Sequence, residues 1–100
     1  MAKREIEWSG SAKIELFDIL NFYYERNGNP NYSIRVNNRI QMIISYLQNF
    51  PNLGMKTTKE NIRVVIESDY SIFYEPTSDK VIIHSIWANK RNPKQSQFNK

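Results

Sequence analysis

The sequence predicts an α+β domain with the element order β-α-α-β-β-β. Three observations lead there. Two stretches carry apolar residues at spacings of three and four, the repeat of a helix face. A short link bearing Gly and Pro, Asn27-Gly28-Asn29-Pro30, separates them. The last third then holds three short runs rich in β-branched and aromatic residues, Ile62–Glu67, Tyr70–Tyr74 and Val81–Trp87, close enough together for tight turns.

Glu5-Ile6-Glu7-Trp8 opens the order, alternating polar and apolar side chains with the period of a half-buried strand. Ser9-Gly10-Ser11 interrupts it, and either serine suits a helix N-cap, where its hydroxyl accepts from an orphan N–H. The first helix is expected over about 11–26, with Ala12, Leu16, Ile19, Leu20 and Tyr23 sharing one face. Gly28 permits a left-handed C-cap, and Pro30 cannot continue the ladder. The second helix is expected over about 31–50. Val36, Ile40, Ile43, Ile44 and Leu47 trace its apolar stripe, while Arg35, Asn38, Arg39 and Gln41 fall largely off it. The short link makes the pair an antiparallel hairpin.

Pro51-Asn52-Leu53-Gly54 ends the second helix and leads into a polar loop with Lys56 and Lys59. In the strands that follow, Ile62, Val64 and Ile66 alternate with Arg63, Val65 and Glu67, and Tyr70, Ile72 and Tyr74 alternate with Ser71, Phe73 and Glu75. Ser68-Asp69 and Pro76-Thr77-Ser78-Asp79 are turns. Val81–Trp87 is apolar on both parities, as suits a central strand covered on both sides. The simplest connection is an antiparallel meander. The tail after about 93 is polar and expected to fray.

The 100 residues suit one domain spanning 1–100, with 40% hydrophobic and 24% charged residues excluding intrinsic disorder. The net charge of +4 favours a polyphosphate or an acidic protein partner. With no cysteine, disulfides and thiolate metal sites are excluded, and a reducing cytoplasm fits. No apolar run follows the N-terminal cations and none reaches the length of a membrane span, so a soluble cytoplasmic protein without membrane contact is expected. No metal-ligand cluster, nucleotide-binding glycine loop or nucleophile motif is present, so no cofactor is expected.

The layout resembles the RelE/ParE superfamily of toxins from bacterial type II toxin–antitoxin modules. The resemblance rests on the opening strand ending in Trp8, the helical hairpin, and Phe50-Pro51-Asn52-Leu53-Gly54. It continues through Ile62-Arg63-Val64-Val65, Tyr70-Ser71-Ile72-Phe73-Tyr74, and Ile83-His84-Ser85-Ile86-Trp87 running into Lys90-Arg91-Asn92-Pro93. It implies a hairpin packed on one side of a twisted, mainly antiparallel sheet, and a toxin silenced in a hetero-oligomer with a cognate antitoxin.

The resemblance implies two kinds of activity. RelE-like members are ribosome-dependent mRNA endoribonucleases, in which the substrate's 2′-hydroxyl attacks the adjacent phosphate. That step needs a proton acceptor, cations on the phosphate and a proton donor. Arg63 matches the family's arginine on the first strand of the meander, and Lys90 or Arg91 approximates the basic position after the last strand. Lys56 and Lys59 lie in the loop where such enzymes carry lysines. His84 is the one histidine and the one candidate proton carrier, since the tail aromatic is Phe98. Its structural alternative is a histidine held in the sheet by packing or a hydrogen bond; that of Arg63 is an ion pair with Glu67 or Glu75.

ParE-like members poison DNA gyrase by binding and need no proton-transfer set. The long hairpin and the tail without a tyrosine or histidine favour this reading, with Lys90, Arg91 and Lys94 as further target-binding cations. A third alternative is a degenerate member that only binds its antitoxin or operator DNA. Phe17, Phe22, Tyr23 and Tyr24 crowd the first helix, which has one core-facing side. Some of these rings should stay accessible, and Phe17 and Tyr24 are the candidate antitoxin contacts. Trp8 and Trp87 are expected in the core or at its edge.

Overall fold

The computed structural model describes residues 3–67 and 69–89. The chain runs β1 (Glu5–Trp8), α1 (Gly10–Asn27), α2 (Asn31–Asn49), β2 (Met55–Lys56), β3 (Arg63–Glu67), β4 (Tyr70–Pro76) and β5 (Lys80–Ala88). The strands form one sheet in the order β1-β5-β4-β3-β2. β1 lies parallel to β5, and the other pairings are antiparallel. The expected order holds with one addition: β2 is a two-residue edge strand where a polar loop was expected.

Local signals set the helix ends. The Ser9 hydroxyl accepts from the Ala12 N–H at 3.0 Å and caps α1. Gly28, at φ 74°, closes it by donating its N–H to the Tyr24 carbonyl. The link then reverses the chain, and α1 packs on α2, with the Ser33 hydroxyl donating to the Leu20 carbonyl at 2.7 Å.

The main core lies between the helical hairpin and one sheet face. Ala12 and Ile19 of α1 and Val36, Ile40, Ile44 and Leu47 of α2 meet Tyr70, Ile72, Tyr74, Val81, Ile83 and Ile86. These helix positions belong to the apolar stripes expected from the spacing. Each fully buried aliphatic side chain contributes about 1.5–3 kcal/mol of hydrophobic stabilisation. A smaller cluster of Ile62, Val64 and Phe73, joined by Trp87, occupies the other face. The expected central position of Val81–Trp87 is observed, since β5 lies between β1 and β4.

The β4–β5 register shifts between Phe73 and Tyr74, where Phe73 faces Ser85 and Tyr74 faces Ile83. His84 is therefore the extra residue of a bulge. β1 pairs with β5 only as far as Ile83, and α1 takes over beyond it. The Glu15 carboxylate accepts from the Ser85 hydroxyl at 2.8 Å and the Ile86 N–H at 3.0 Å. No described helix is long and apolar enough to cross a membrane.

Candidate functional site

Lys56 and Arg63 face each other across β2 and β3, so their side chains leave the same sheet face. Arg63 also faces Tyr74, which points into the helix-side core. The cations therefore emerge on the helix side, beyond the C-terminal end of α2. The β2–β3 turn shapes the ground between them. Thr57 donates its hydroxyl to the Ile62 carbonyl at 2.9 Å and accepts from the Lys59 N–H at 3.1 Å. Asn61 takes the left-handed conformation at φ 70°, which asparagine tolerates better than most residues. The result is a cleft of about 300 Å³ whose lining includes Lys56, Lys59, Glu60, Arg63 and Pro76. Three cations stand there against one carboxylate, a distribution that favours an anion.

A buried clamp holds this cleft to the core. The Tyr74 hydroxyl donates to the Pro51 carbonyl at 2.7 Å and accepts from the Gly54 N–H at 2.8 Å. Arg63 donates through Nη1 to the Gly54 carbonyl at 2.7 Å. A Cβ on Gly54 would lie 2.7 Å from the Val64 carbonyl oxygen and 2.9 Å from the Tyr74 ring, so the tight approach requires glycine. Burial raises the Tyr74 phenol above its ordinary value, against the opposing pull of the Gly54 N–H and Arg63. The expected alternative for Arg63, a pair with Glu67 or Glu75, is not observed. Glu67 accepts from Arg39 at 2.7 Å, and Glu75 meets His84 at 3.0 Å.

His84 stands apart from the cations. Glu75 follows Tyr74 in β4 and so points to the opposite sheet face. His84 Nε2 meets its Oε1 there, with both side chains about 30% exposed (29% and 30%). A histidine held by a hydrogen bond within the sheet is what the structure contains. Arg63 and His84 thus project from opposite faces of the sheet. Lys90, Arg91, Lys94 and Phe98 lie outside the described residues, as does the expected fraying of the tail. Among the described residues no group of three or more histidine, cysteine, aspartate or glutamate side chains is placed to hold a metal ion.

On α1, Phe17 is 66% and Tyr24 50% exposed, and Phe22 is exposed beside them. Tyr23 turns inward and packs edge-on against Tyr32, with ring centroids 4.7 Å apart. Trp8 packs against the main core and Trp87 against the smaller one. Sequence reasoning missed Glu60 in the lining of the basic cleft, and Gly54 and Tyr74 in the clamp beside it. The adjacent Pro51-Asn52-Leu53-Gly54 was visible as a helix stop, but its docking partner lies 20 residues on.

The comparisons with known proteins agree with this architecture. A family model described as the ParE toxin of type II toxin–antitoxin systems, parDE, matches residues 6–93. Among solved structures, the chain is similar to one titled as the chromosomal ParDE toxin–antitoxin system from P. aeruginosa. That match has a TM-score of 0.66 and 18% identity, covering 86% of this chain and 96% of the other. A second, from the E. coli DinJ–YafQ toxin–antitoxin complex, has a TM-score of 0.55 and 14% identity, covering 88% and 94%. At these identities the structures bear on the fold alone. No curated protein matches the sequence.

Proposed function

Because this chain belongs to the ParE toxin family of type II toxin–antitoxin systems, we propose that it halts growth by binding DNA gyrase, without catalysis of its own, and is silenced by a cognate antitoxin. The observation that carries the non-catalytic reading is that Arg63 and the His84–Glu75 pair project from opposite faces of the sheet. Cleaving a phosphodiester requires proton transfer at the atoms that the cations hold. Holding an acidic or phosphate-bearing surface requires only the cations.

In this reading Lys56, Lys59 and Arg63 form the target-binding group, joined by Lys90, Arg91 and Lys94 of the tail. Phe17 and Tyr24 are the antitoxin contacts. The target and the antitoxin then meet different parts of the surface, and silencing works by wrapping or displacement.

One observation favours a second reading. Glu60 lines the same cleft as Lys56, Lys59 and Arg63, so a carboxylate stands beside the phosphate-binding cations. That set suits an mRNA endoribonuclease acting on the ribosome, with His84 given no part in it. Expression in a sensitive host, with and without the antitoxin, separates the two readings. Gyrase–DNA cleavage complexes and lost supercoiling are expected, with mRNA 5′ ends unchanged. New ribosome-dependent 5′ ends with gyrase unaffected would replace the first reading by the second.

A further inference from the structure

α1 carries two apolar faces and the hairpin uses only one. Ala12, Leu16, Ile19, Leu20 and Tyr23 face the core. Ile14, Phe17 and Tyr24 do not, and Ile14 is 63% exposed. With Asn21, which is also exposed, they occupy positions 14, 17, 21 and 24. Steps of three, four and three match the a and d spacing of a two-stranded coiled coil, apolar except for one amide.

We propose that two copies of the chain pair through this seam, α1 against α1, in parallel about a two-fold axis along the helices. The charges beside the seam select both the partner and the direction. In a parallel pair, the residue before one seam position faces the residue five further on in the other helix. Lys13 then meets Asp18 of the second copy, and symmetry repeats the contact. Both side chains are exposed, and neither takes part in the ion pairs found among the described residues. An antiparallel pair would instead set the flank bearing Asp18 and Glu25 against itself. Asn21 falls opposite Asn21 of the second copy, and a single amide pair of this kind fixes register and favours two strands, with some loss of affinity. Two heptads of seam place the contact near the lower limit of stable interfaces, about 1,000 Å² in total, so the dimer is reversible. Phe17 and Tyr24 are shared with the proposed antitoxin face, so dimer and antitoxin binding are mutually exclusive. The pairing is independent of whether gyrase or mRNA is the target.

Sedimentation velocity on the full chain, refolded free of antitoxin, tests this over a concentration series from micromolar to several hundred micromolar. A monomer–dimer equilibrium is expected. Phe17→Glu should leave a monomer throughout, with an unchanged circular dichroism spectrum. Lys13→Glu should weaken the dimer by about tenfold, since two attractions become two repulsions, and Lys13→Glu with Asp18→Lys should restore it. A monomer at every concentration, or a dimer indifferent to Phe17→Glu, overturns the proposal. A dimer lost in Phe17→Glu but not rescued by the charge exchange overturns the parallel arrangement.

Discussion

Tyr74 is the residue on which the basic cleft depends. Its ring is buried in the main core, while its hydroxyl satisfies both the Pro51 carbonyl and the Gly54 N–H. Tyr74→Phe keeps the ring and strands both backbone groups, so a loss of about 1–3 kcal/mol is expected in urea unfolding. Gly54→Ala forces a methyl against the Val64 carbonyl and the Tyr74 ring, with a similar cost of about 1–3 kcal/mol. Tyr70 is the contrasting case. Its hydroxyl is buried beside Tyr23 without a hydrogen bond of good geometry, and burial, followed by the neighbouring Tyr23 phenol, holds it well above the ordinary value of 10.0. The sign follows from linkage. Below pH 10 both the folded and the unfolded chain keep the phenol neutral, so stability is unaffected. Above it the unfolded chain ionises first, and stability falls as pH rises. Tyr70→Phe should therefore be neutral or stabilising by up to about 1 kcal/mol at pH 7. Its alkaline decline in melting temperature, followed from pH 9 to 11.5, should be shallower than that of the parent chain; an identical decline would show that Tyr70 is not its source.

At the level of elements, α1 does more than supply a core face. Its cap residue Ser9 accepts from Ala12 and also donates to the His84 carbonyl at 3.0 Å, joining helix start to sheet edge. One turn on, Glu15 covers the part of β5 that β1 is too short to reach. Glu15→Ala leaves the Ile86 N–H and the Ser85 hydroxyl without that partner, so a loss of about 1–3 kcal/mol is expected. Glu15→Gln keeps an acceptor and should recover part of it in the same unfolding experiment. The cap was legible in the sequence, because Ser9-Gly10-Ser11 stands directly before a helical repeat. Both helices and the first two strands of the meander were legible because side-chain periods of 3.6 and 2 survive in one dimension, and the last strand because a short run apolar on both parities suits a central position. β2 was not, since Met55-Lys56 is too short to show any period, and its pairing is dictated by Gly54 sliding under Tyr74. The partner of Arg63 was also hidden. It is a backbone carbonyl, and a carbonyl has no letter in the sequence. The sequence instead suggested Glu67 or Glu75, of which Arg39 of α2 occupies the first through a two-oxygen contact and His84 meets the second.

For the molecule as a whole, the sheet acts as a partition. Its helix side carries Lys56 and Arg63, which line one cleft together with Lys59 of the β2–β3 turn, and its other side carries the His84–Glu75 pair. A toxin that works by binding should therefore feel charge changes on one side and ignore those on the other. Arg63→Ala is expected to reduce growth inhibition more than His84→Gln, measured as survival after induction without antitoxin. Arg63 also holds the Gly54 carbonyl, so its loss alone mixes charge with geometry. Lys56→Glu with Lys59→Glu removes that ambiguity. Both side chains are exposed, and surface substitutions of this kind shift stability by only about 0.5 kcal/mol each. Reversing two of the three cations should weaken target binding by about tenfold or more while the melting temperature stays close to that of the parent. If the double lysine variant remains fully toxic and His84→Gln does not, the working surface lies on the far side of the sheet, and the cleft is only the consequence of folding a short edge strand under Tyr74.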